Sequence, residues 1–248
     1  MAYRHATEAE DYADFAAGRV LYAMPGHTAF PVRLTDEIWG RFLALRTRLA
    51  LPAGPYTLFD PCCGTGYQLT TLALRHGSHI KEIIAGDVHL DAVQMATRNL
   101  GLLTAAGRAF RRRELEQLVE QYNKPSHREA LTSLQRLEER LPSSLPNATV
   151  FQLDVGNVAS YPEALTSLTV DLLLCDVPYG SKATWSGQMA SDAHDPLHTF
   201  LGNLQPFLQA TTILALATGK MQKAAHEAYE PLGRFQIGKR RIQFLRLI

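Results

Sequence analysis

A short loop between an apolar strand and a helix constrains the fold of this chain more than any other feature. The run from Leu58 to Tyr67 reads LFDPCCGTGY, with an acidic residue at Asp60 where the strand ends and glycines at Gly64 and Gly66. Glycines at the start of a helix let the backbone approach a ligand closely. In parallel-sheet proteins such a loop is expected to present backbone N–H groups and the helix N-terminus to a nucleotide-like ligand. The run therefore predicts an α/β fold with a ligand site at the carboxyl end of a strand.

The glycine spacing favours S-adenosylmethionine over a dinucleotide. A dinucleotide loop needs a third glycine three residues after the second for close helix–strand packing, and this chain has Leu69 there. The acidic residue, with glycines at the fourth and sixth positions after it, resembles the Asp-Pro-x-Cys-Gly-x-Gly loop of class I methyltransferases that modify amino groups and ring nitrogens of nucleic acids. An ordinary strand–helix turn is the alternative. The cofactor-binding residues predicted from the loop are Asp60, Cys62, Gly64, Thr65 and Gly66.

Composition is consistent with one domain, residues 1–248, in the cytoplasm. The net charge of +1 neither requires nor excludes a nucleic-acid partner. Three cysteines are too few for a disulfide framework and predict reduced thiols. We find no signal-peptide pattern and no apolar run that approaches the roughly 20 residues of a membrane span, so no membrane partner is expected.

Short apolar runs alternate with helical patterns after a polar, aromatic lead-in. Residues 1–30 are expected to be irregular rather than part of the core, and Thr35 is expected to cap the helix that completes the lead-in, 1–52. The predicted strands are 56–60, 82–87, 148–153, 170–176, 210–216, 231–238 and 241–247. The later predicted helices are 66–77, 89–101, 160–167, 196–208 and 220–228. This alternation predicts a seven-stranded doubly wound (Rossmann-like) sheet, parallel except for a final antiparallel hairpin.

One segment, about residues 104–147, interrupts the alternation and predicts an inserted helical hairpin. Leucines at helical spacing mark two faces, Pro125 separates them, and Ser126 with Glu129 forms a capping box for the second helix. Because the insertion is rich in both arginine and glutamate, it is either a docking arm for RNA or a solvated charged face. The cations of the docking interpretation are Arg111, Arg112, Arg113, Lys124 and Arg128.

Two further strand ends carry aspartates that suit the cofactor. Asp87 ends the second predicted strand about twenty residues after the glycine loop, where a carboxylate can accept hydrogen bonds from both ribose hydroxyls. A helix N-cap is the alternative role for Asp87. Asp154 ends the third predicted strand, where this fold contacts the adenine amino group, although aspartates also occupy strand ends as turn residues.

The sequence Asp176-Val177-Pro178-Tyr179-Gly180 follows an apolar strand and is the candidate catalytic motif. It resembles the Asn/Asp-Pro-Pro-Tyr/Phe motif of amino and ring-nitrogen methyltransferases, with valine in place of the first proline. A carboxylate and backbone carbonyls that accept N–H groups can hold a poorly nucleophilic ring nitrogen in line with a methyl group, and a tyrosine can stack on the base. A turn without chemistry is the alternative. The predicted catalytic residues are Asp176, Pro178 and Tyr179.

Other candidate residues lie near the chain's second half. Trp185 follows the catalytic motif among polar residues and is interpreted as part of a loop that covers the target base, with a core position as the alternative. His194 and His198 lack a third ligand type, so no metal is predicted. Cations for RNA are also expected at Lys239, Arg240 and Arg241.

Together these motifs resemble the AviRa family over nearly the whole chain. The resemblance rests on AFPVRL at 29–34, the Asp60 loop, the insertion with KPS at 124–126, and the Asp176 motif followed by WSGQ at 185–188. Members are methyltransferases that act on large-subunit ribosomal RNA and confer resistance to avilamycin, an orthosomycin antibiotic. The resemblance implies a monomeric, S-adenosylmethionine-dependent enzyme that methylates N1 of a guanine in 23S rRNA.

Several alternatives stay open on the sequence alone. The same chemistry could act on guanine N2, or on adenine or cytosine in DNA, although 248 residues leave little room for the target-recognition domain of a DNA enzyme. A protein glutamine methyltransferase would carry asparagine where this chain has Asp176. A ribosome-binding module that holds the cofactor without catalysis is disfavoured by the intact Asp176 and Tyr179.

Overall fold

The structure, a computed structural model, describes residues 3–8, 10–158, 161–166, 169–178, 185 and 195–248. A seven-stranded sheet forms the centre of this described part. Its strands are β1 (Tyr56–Asp60), β2 (Ile80–Asp87), β3 (Asn147–Gln152), β4 (Leu172–Asp176), β5 (Ile213–Gly219), β6 (Tyr229–Ile237) and β7 (Arg240–Leu247). The strand order is β3-β2-β1-β4-β5-β7-β6, with β1 to β5 parallel and β7 antiparallel to both neighbours. The predicted doubly wound sheet with a terminal hairpin is confirmed.

Helices cover the sheet and fill the predicted insertion. They are α1 (Val32–Arg48), α2 (Tyr67–His76), α3 (Leu90–Gly101), α4 (Ala105–Tyr122), α5 (Pro125–Glu139), α6 (Glu163–Thr166) and α7 (Pro196–Leu204). Helices α4 and α5 form the hairpin predicted for 104–147. None of the helices in the described part of the chain has the length and apolar content needed to cross a membrane.

Both faces of the sheet are buried, as expected for parallel strands in a doubly wound fold. Side chains alternate along each strand, so Leu58 and Ile83 pack on one face while Phe59 and Ile84 pack on the other. The first face is covered by α1, α2, the lead-in and the inserted hairpin, and the second by α7 with the segments around it. This double burial fixes the strand register, and therefore the positions of the residues at the strand ends.

The described part of residues 1–30 is irregular apart from one short 3₁₀ turn, as predicted, but it belongs to the core, contrary to expectation. Its start is held by Glu37 of α1, whose buried carboxylate accepts backbone N–H groups from residues 4–6 at 2.8 to 3.0 Å. An irregular segment has no hydrophobic period, so its sequence pattern does not reveal which apolar side chains are buried. The buried ones are Phe15, Val20, Leu21, Tyr22 and Phe30.

Two predicted helix caps are wrong because a proline occupies the start of each helix. The N-cap of α1 is Pro31, whose carbonyl accepts the N–H of Thr35 at 3.0 Å, so Thr35 lies inside the helix. Helix α5 begins at Pro125, and Ser126 and Glu129 therefore lie within it rather than forming a capping box. Proline suits the first helical turn, where its missing N–H would have no partner in the helix.

The predicted helix at 220–228 does not form, and the described chain there is irregular. The side chain of Gln243 in β7 accepts the N–H of Ala224 at 2.9 Å and donates to the Ala224 carbonyl at 3.0 Å. Ala224 is buried against the second core face. Since these bonds satisfy backbone groups that a helix would otherwise use, a contact with a distant strand replaces the local helical preference.

Candidate functional site

A cavity of about 330 Å³ opens at the carboxyl ends of β1, β2 and β4. The chain winds from β1 through β2 to β3 and then crosses back to β4, so this edge is the topological switch point where doubly wound folds bind ligands. The volume falls within the range of about 300–1,000 Å³ typical of small-molecule sites. The predicted site residues that line it are Asp60, Cys62, Gly64, Thr65, Asp87, Asp154, Asp176, Pro178 and Trp185.

The two glycines of the loop between β1 and α2 have backbone conformations that favour glycine. Gly64 and Gly66 have φ of 54° and 67°. Gly66 is the N-cap of α2, and a Cβ on it would lie 3.1 Å from the Cα of Ala96 in α3. Gly64 lines the cavity, whereas Gly66 is outside the lining formed by the described residues. We therefore interpret Gly66 as a residue that lets α3 pack against the loop.

Three backbone N–H groups of this loop donate within the protein, so the expectation that the loop's N–H groups face the ligand is wrong for these three. Cys63 donates to the Gly86 carbonyl at 2.8 Å, and Gly66 donates to the Cys63 carbonyl at 2.9 Å. Gly64 donates to Oδ2 of Asp87 at 2.8 Å. A phosphate would need such donors to be available. These three N–H groups are therefore not available to a ligand phosphate.

Asp60 is the most deeply buried carboxylate of the site, and its residue is only 2% exposed. Its Oδ1 accepts the N–H of Cys62 at 3.0 Å. Burial raises the pKa of Asp60 well above its ordinary value, the Cys62 hydrogen bond opposes this, and the charges of Asp87 and Asp176 raise the pKa further. The cavity is thus surrounded by acidic groups whose mutual repulsion a bound cation would relieve.

Asp87 and Asp154 lie at the cavity and also support the backbone around it. Oδ2 of Asp87 accepts from Gly64, and Oδ1 accepts the N–H of His89 at 3.0 Å. A carboxylate has about four acceptor positions, so roughly two remain for ligand hydroxyls. Oδ1 of Asp154 accepts the N–H of Gly156 at 2.9 Å. The turn role considered for Asp154 is therefore compatible with a contact to the ligand.

Asp176 ends β4 and is half-buried beside the cavity. Its Oδ2 lies 3.9 Å from Nη2 of Arg240, so a residue predicted for general RNA docking instead contacts the candidate catalytic carboxylate. Pro178 also lines the cavity. Tyr179, the third predicted catalytic residue, lies outside the described residues.

Trp185 packs on the core and also reaches the cavity. The side chain is half-buried and packs against Phe200 of α7, with ring centroids 5.5 Å apart. It also forms part of the cavity wall. A contact between Trp185 and a substrate base stays a prediction.

Two of the predicted RNA-docking cations of the insertion bind partners within the protein. Arg111 is buried, and its guanidinium donates to the carbonyls of Val20 and Arg19 at 2.9 and 3.1 Å. The predicted role of Arg111 in RNA docking is therefore wrong, because its buried guanidinium is bonded to partners inside the protein. Arg112 is half-buried and paired with Glu138, which favours the solvated-face interpretation for this residue. The exposed cations for which docking stays a prediction are Arg113, Lys124 and Arg128.

The turn between β6 and β7 brings basic residues to the carboxyl edge of the sheet. Lys239 is exposed, and its carbonyl accepts the N–H of Lys220 at 2.9 Å. Lys220 is also exposed, and no sequence pattern singles it out. Arg241 is half-buried and donates to the Gln222 carbonyl at 3.1 Å. The two lysines therefore form a basic edge next to the strand that carries Arg240.

The sequence motifs missed the contribution of the lead-in, which lines the cavity with residues 26–28 and Phe30. Asn99 of α3, fully buried, connects this segment to the glycine loop. Its side chain accepts the N–H of Tyr22 at 2.8 Å and donates to the carbonyls of Tyr22 at 3.1 Å and Thr65 at 2.9 Å. The AFPVRL run at 29–34 was the one sequence signal close to this segment.

Away from the cavity, His198, His226 and Glu227 place ligand-type atoms within 4.8 Å of one another. The imidazoles of His198 and His226 are stacked at 4.2 Å with only 26° between their planes, so their in-plane lone pairs do not converge on one ion. Nδ1 of His226 also accepts the N–H of Ala228 at 3.1 Å. His194 lies outside the described residues, and the absence of a metal stays a prediction.

Comparison with known proteins finds similarity over nearly the whole chain. Residues 1–240 match the family described as rRNA methyltransferase AviRa. A relative from Streptomyces viridochromogenes, named 23S rRNA (guanine(2535)-N(1))-methyltransferase, is 39% identical over 243 residues, which cover 96% of this chain and 93% of the relative.

Solved structures show the same similarity. Two structures of the rRNA methyltransferase AviRa from Streptomyces viridochromogenes, at 1.5 and 2.4 Å, give TM-scores of 0.85 and 0.84. Each is 36% identical to this chain and covers 99% of it, with 96% of the solved chain matched. The helical insertion and the lead-in are thus included in the similarity.

Proposed function

The chain belongs to the AviRa family of rRNA methyltransferases, and on this basis we propose that it transfers a methyl group from S-adenosylmethionine to N1 of a guanine in 23S rRNA. The observation that carries the proposal is the position of Asp176, at the edge of a cavity lined by the glycine loop and by Asp60 and Asp87. The relative that is 39% identical is named for this reaction.

The charge of the cavity supports S-adenosylmethionine as its ligand. When bound, this donor supplies a methyl group from a positively charged sulfonium sulfur. The carboxyl groups of Asp60, Asp87 and Asp176 interact electrostatically and favour a cation between them. The acceptor positions left on Asp87 suit the ribose hydroxyls, and Asp154 suits the adenine amino group.

Asp176 is proposed to orient the guanine and to accept the proton of N1. Guanine N1 keeps this proton at neutral pH, so the nitrogen becomes a good nucleophile only when a base removes it. The two oxygens of a carboxylate can accept from N1–H and N2–H together, whereas asparagine could accept a hydrogen bond but not the proton. Pro178 restricts the backbone conformation just after Asp176. The guanine is proposed to stack on the ring of Tyr179.

RNA is proposed to approach along the basic edge formed by Lys220 and Lys239. These exposed lysines lie at the carboxyl edge of the sheet, where the cavity also opens. Contacts to phosphates would position the RNA without reading its sequence. The target guanine would have to be splayed out of any helix to reach Asp176. The exposed cations of the insertion would add contacts farther from the cavity.

Four further properties are part of this proposal. Residues 1–248 would act as one methyltransferase domain, and the enzyme would be a monomer. An rRNA substrate would place it in the cytoplasm with the ribosomes. Methylation of the target guanine would confer resistance to an avilamycin-type antibiotic.

Transfer of tritiated methyl groups to purified ribosomal RNA tests the proposed function. We expect label in 23S rRNA, offered both as naked RNA and as large subunits, and none in 16S rRNA. Asp176→Asn should still bind S-adenosylmethionine, with an affinity reduced by about tenfold at most because one of the three charges is lost, and should transfer methyl at saturating donor at least about 10²-fold more slowly, because proton acceptance acts in the transition state. An unlabelled 23S rRNA in both forms, or an Asp176→Asn variant with the wild-type rate, would contradict the proposal.

A further inference from the structure

Antiparallel pairing of the last strand brings Arg240 to the edge of the sheet where the cavity opens. Gly219, the last residue of β5, pairs with Arg240, the first residue of β7. On the other side of β5, Ala217 pairs with Asp176 at the end of β4. Because β7 runs opposite to the parallel strands, its first residue lies at their carboxyl ends.

The side chain of Arg240 lies at this edge, and one of its N–H donors makes no hydrogen bond to the described residues. Its guanidinium carbon lies 5.1 Å from the ring centroid of Phe30, which lines the cavity, and Nη2 lies 3.9 Å from Oδ2 of Asp176. That separation allows charge attraction but is too long for a hydrogen bond. Nε is buried and has no hydrogen-bond partner among the described residues. A buried donor without a partner destabilises the fold, so its presence indicates a ligand group that accepts its hydrogen bond.

The proposed reaction creates a negative charge that needs such a donor. When the N1 proton passes to the Asp176 carboxylate, the electron pair left on N1 is shared with O6 of the guanine. That pair then forms the bond to the methyl carbon, the carbon–sulfur bond breaks, and its electrons remain on sulfur. Guanine and thioether are both neutral afterwards, so charge on O6 exists only around the transition state. A fixed cation there would accelerate the reaction.

We infer that Arg240 is a catalytic residue that donates a hydrogen bond to O6 of the target guanine and stabilises the charge formed there. The inference rests on the proposed function and assigns a role within that site. Phosphate docking is the competing role for an arginine. It is disfavoured because the side chain is only 24% exposed and packs on Phe30, whereas Lys239 beside it is exposed to solvent.

Single-turnover methyl transfer at saturating RNA and S-adenosylmethionine, with RNA affinity measured in parallel, tests the inference. Arg240→Gln should lower the rate by about 10²–10³-fold, the usual loss when one donor to a developing oxyanion is removed. RNA affinity should stay within about threefold, because the charge is absent in the ground state. Arg246→Gln is the matched control: it removes the same charge from the same strand, at the opposite edge of the sheet, where Arg246 pairs with Glu230.

The pH dependence gives a second readout. Without the guanidinium the guanine anion is less stable, so the rate of Arg240→Gln should keep rising to higher pH than that of the wild type. Should Arg240→Gln fail to fold, Arg240→Lys decides: it keeps the charge but not the fork of donors, and its rate should fall by about tenfold or more with RNA affinity unchanged.

Two results would overturn the role of Arg240. One is a wild-type rate and pH profile in Arg240→Gln or Arg240→Lys. The other is a loss of RNA affinity with a smaller salt dependence and an unchanged saturating rate, which would make Arg240 a phosphate contact. Failure of the proposed function is distinguishable from both, because the wild-type enzyme itself would then transfer no methyl to 23S rRNA.

Discussion

Replacing Asn99 with alanine should destabilise the protein and weaken cofactor binding together. Asn99 is fully buried in α3 and bonds to the backbone of two separate segments. One is the lead-in at Tyr22, and the other is the glycine loop at Thr65. The side chain therefore fixes the positions of two walls of the cavity relative to each other.

The expected loss follows from the bonds removed. Asn99→Ala leaves three buried backbone groups without a partner: the N–H and carbonyl of Tyr22 and the carbonyl of Thr65, now bonded at 2.8, 3.1 and 2.9 Å. Each unsatisfied buried group costs about 1–3 kcal/mol, and a water entering the vacated space recovers part of it. We therefore expect a loss of about 3–4 kcal/mol in the free energy of unfolding.

Urea denaturation followed by far-ultraviolet circular dichroism measures this loss, and calorimetry of the folded variant measures S-adenosylmethionine affinity. Asn203→Ala is the matched control, because Asn203 makes one such bond, to the Val155 carbonyl at 2.9 Å, and is only partly buried. It should cost about 1 kcal/mol. A loss in Asn99→Ala no larger than in the control, or an unchanged cofactor affinity, would refute the reasoning.

Further predictions concern three residues, Asp87, Asp60 and Lys239. Asp87→Asn should weaken S-adenosylmethionine binding by about 1.5–3 kcal/mol, since a charged acceptor for the ribose is lost; unchanged affinity in calorimetry would place the ribose elsewhere. Because the pKa of Asp60 is raised in the folded protein, the stability of the cofactor-free protein should fall as pH rises from the ordinary value of 3.8 through the raised one. A bound cation lowers that pKa, so binding should release protons, as calorimetry in buffers of different ionisation enthalpy can measure; Asp60→Asn showing the same release would contradict this. RNA affinity should fall steeply with salt, and Lys239→Gln should reduce the slope by about one, whereas an unchanged slope would place the RNA elsewhere.

The strand ends were predictable because their signals are local. Asp60, Asp87 and Asp176 each follow an apolar run, and parallel strands bring their carboxyl ends to one edge of a sheet. The switch-point site could therefore be assembled from the sequence alone. The direction of the loop's N–H groups could not, because it depends on a hydrogen bond between Gly64 and Asp87 across two strands.

The errors have the opposite cause, namely partners distant in sequence. Arg111 looked like a docking cation, but its partner carbonyl on Val20 is 91 residues away. The predicted helix at 220–228 gave way to bonds from Gln243. The sequence predicts Arg240 as one of three equivalent cations, and the pairing of β7 with β5 distinguishes it from its neighbours.

Digestion of methylated 23S rRNA to nucleosides, with mass spectrometry of the labelled product, tests the central claim most directly. We predict 1-methylguanosine, together with a reverse-transcriptase stop one nucleotide short of the site, because a methyl group on N1 blocks the Watson–Crick edge. N2-methylguanosine with read-through at the same guanine, or label in a base other than guanine, would contradict the N1 assignment and with it the role of Asp176 as the acceptor of the N1 proton.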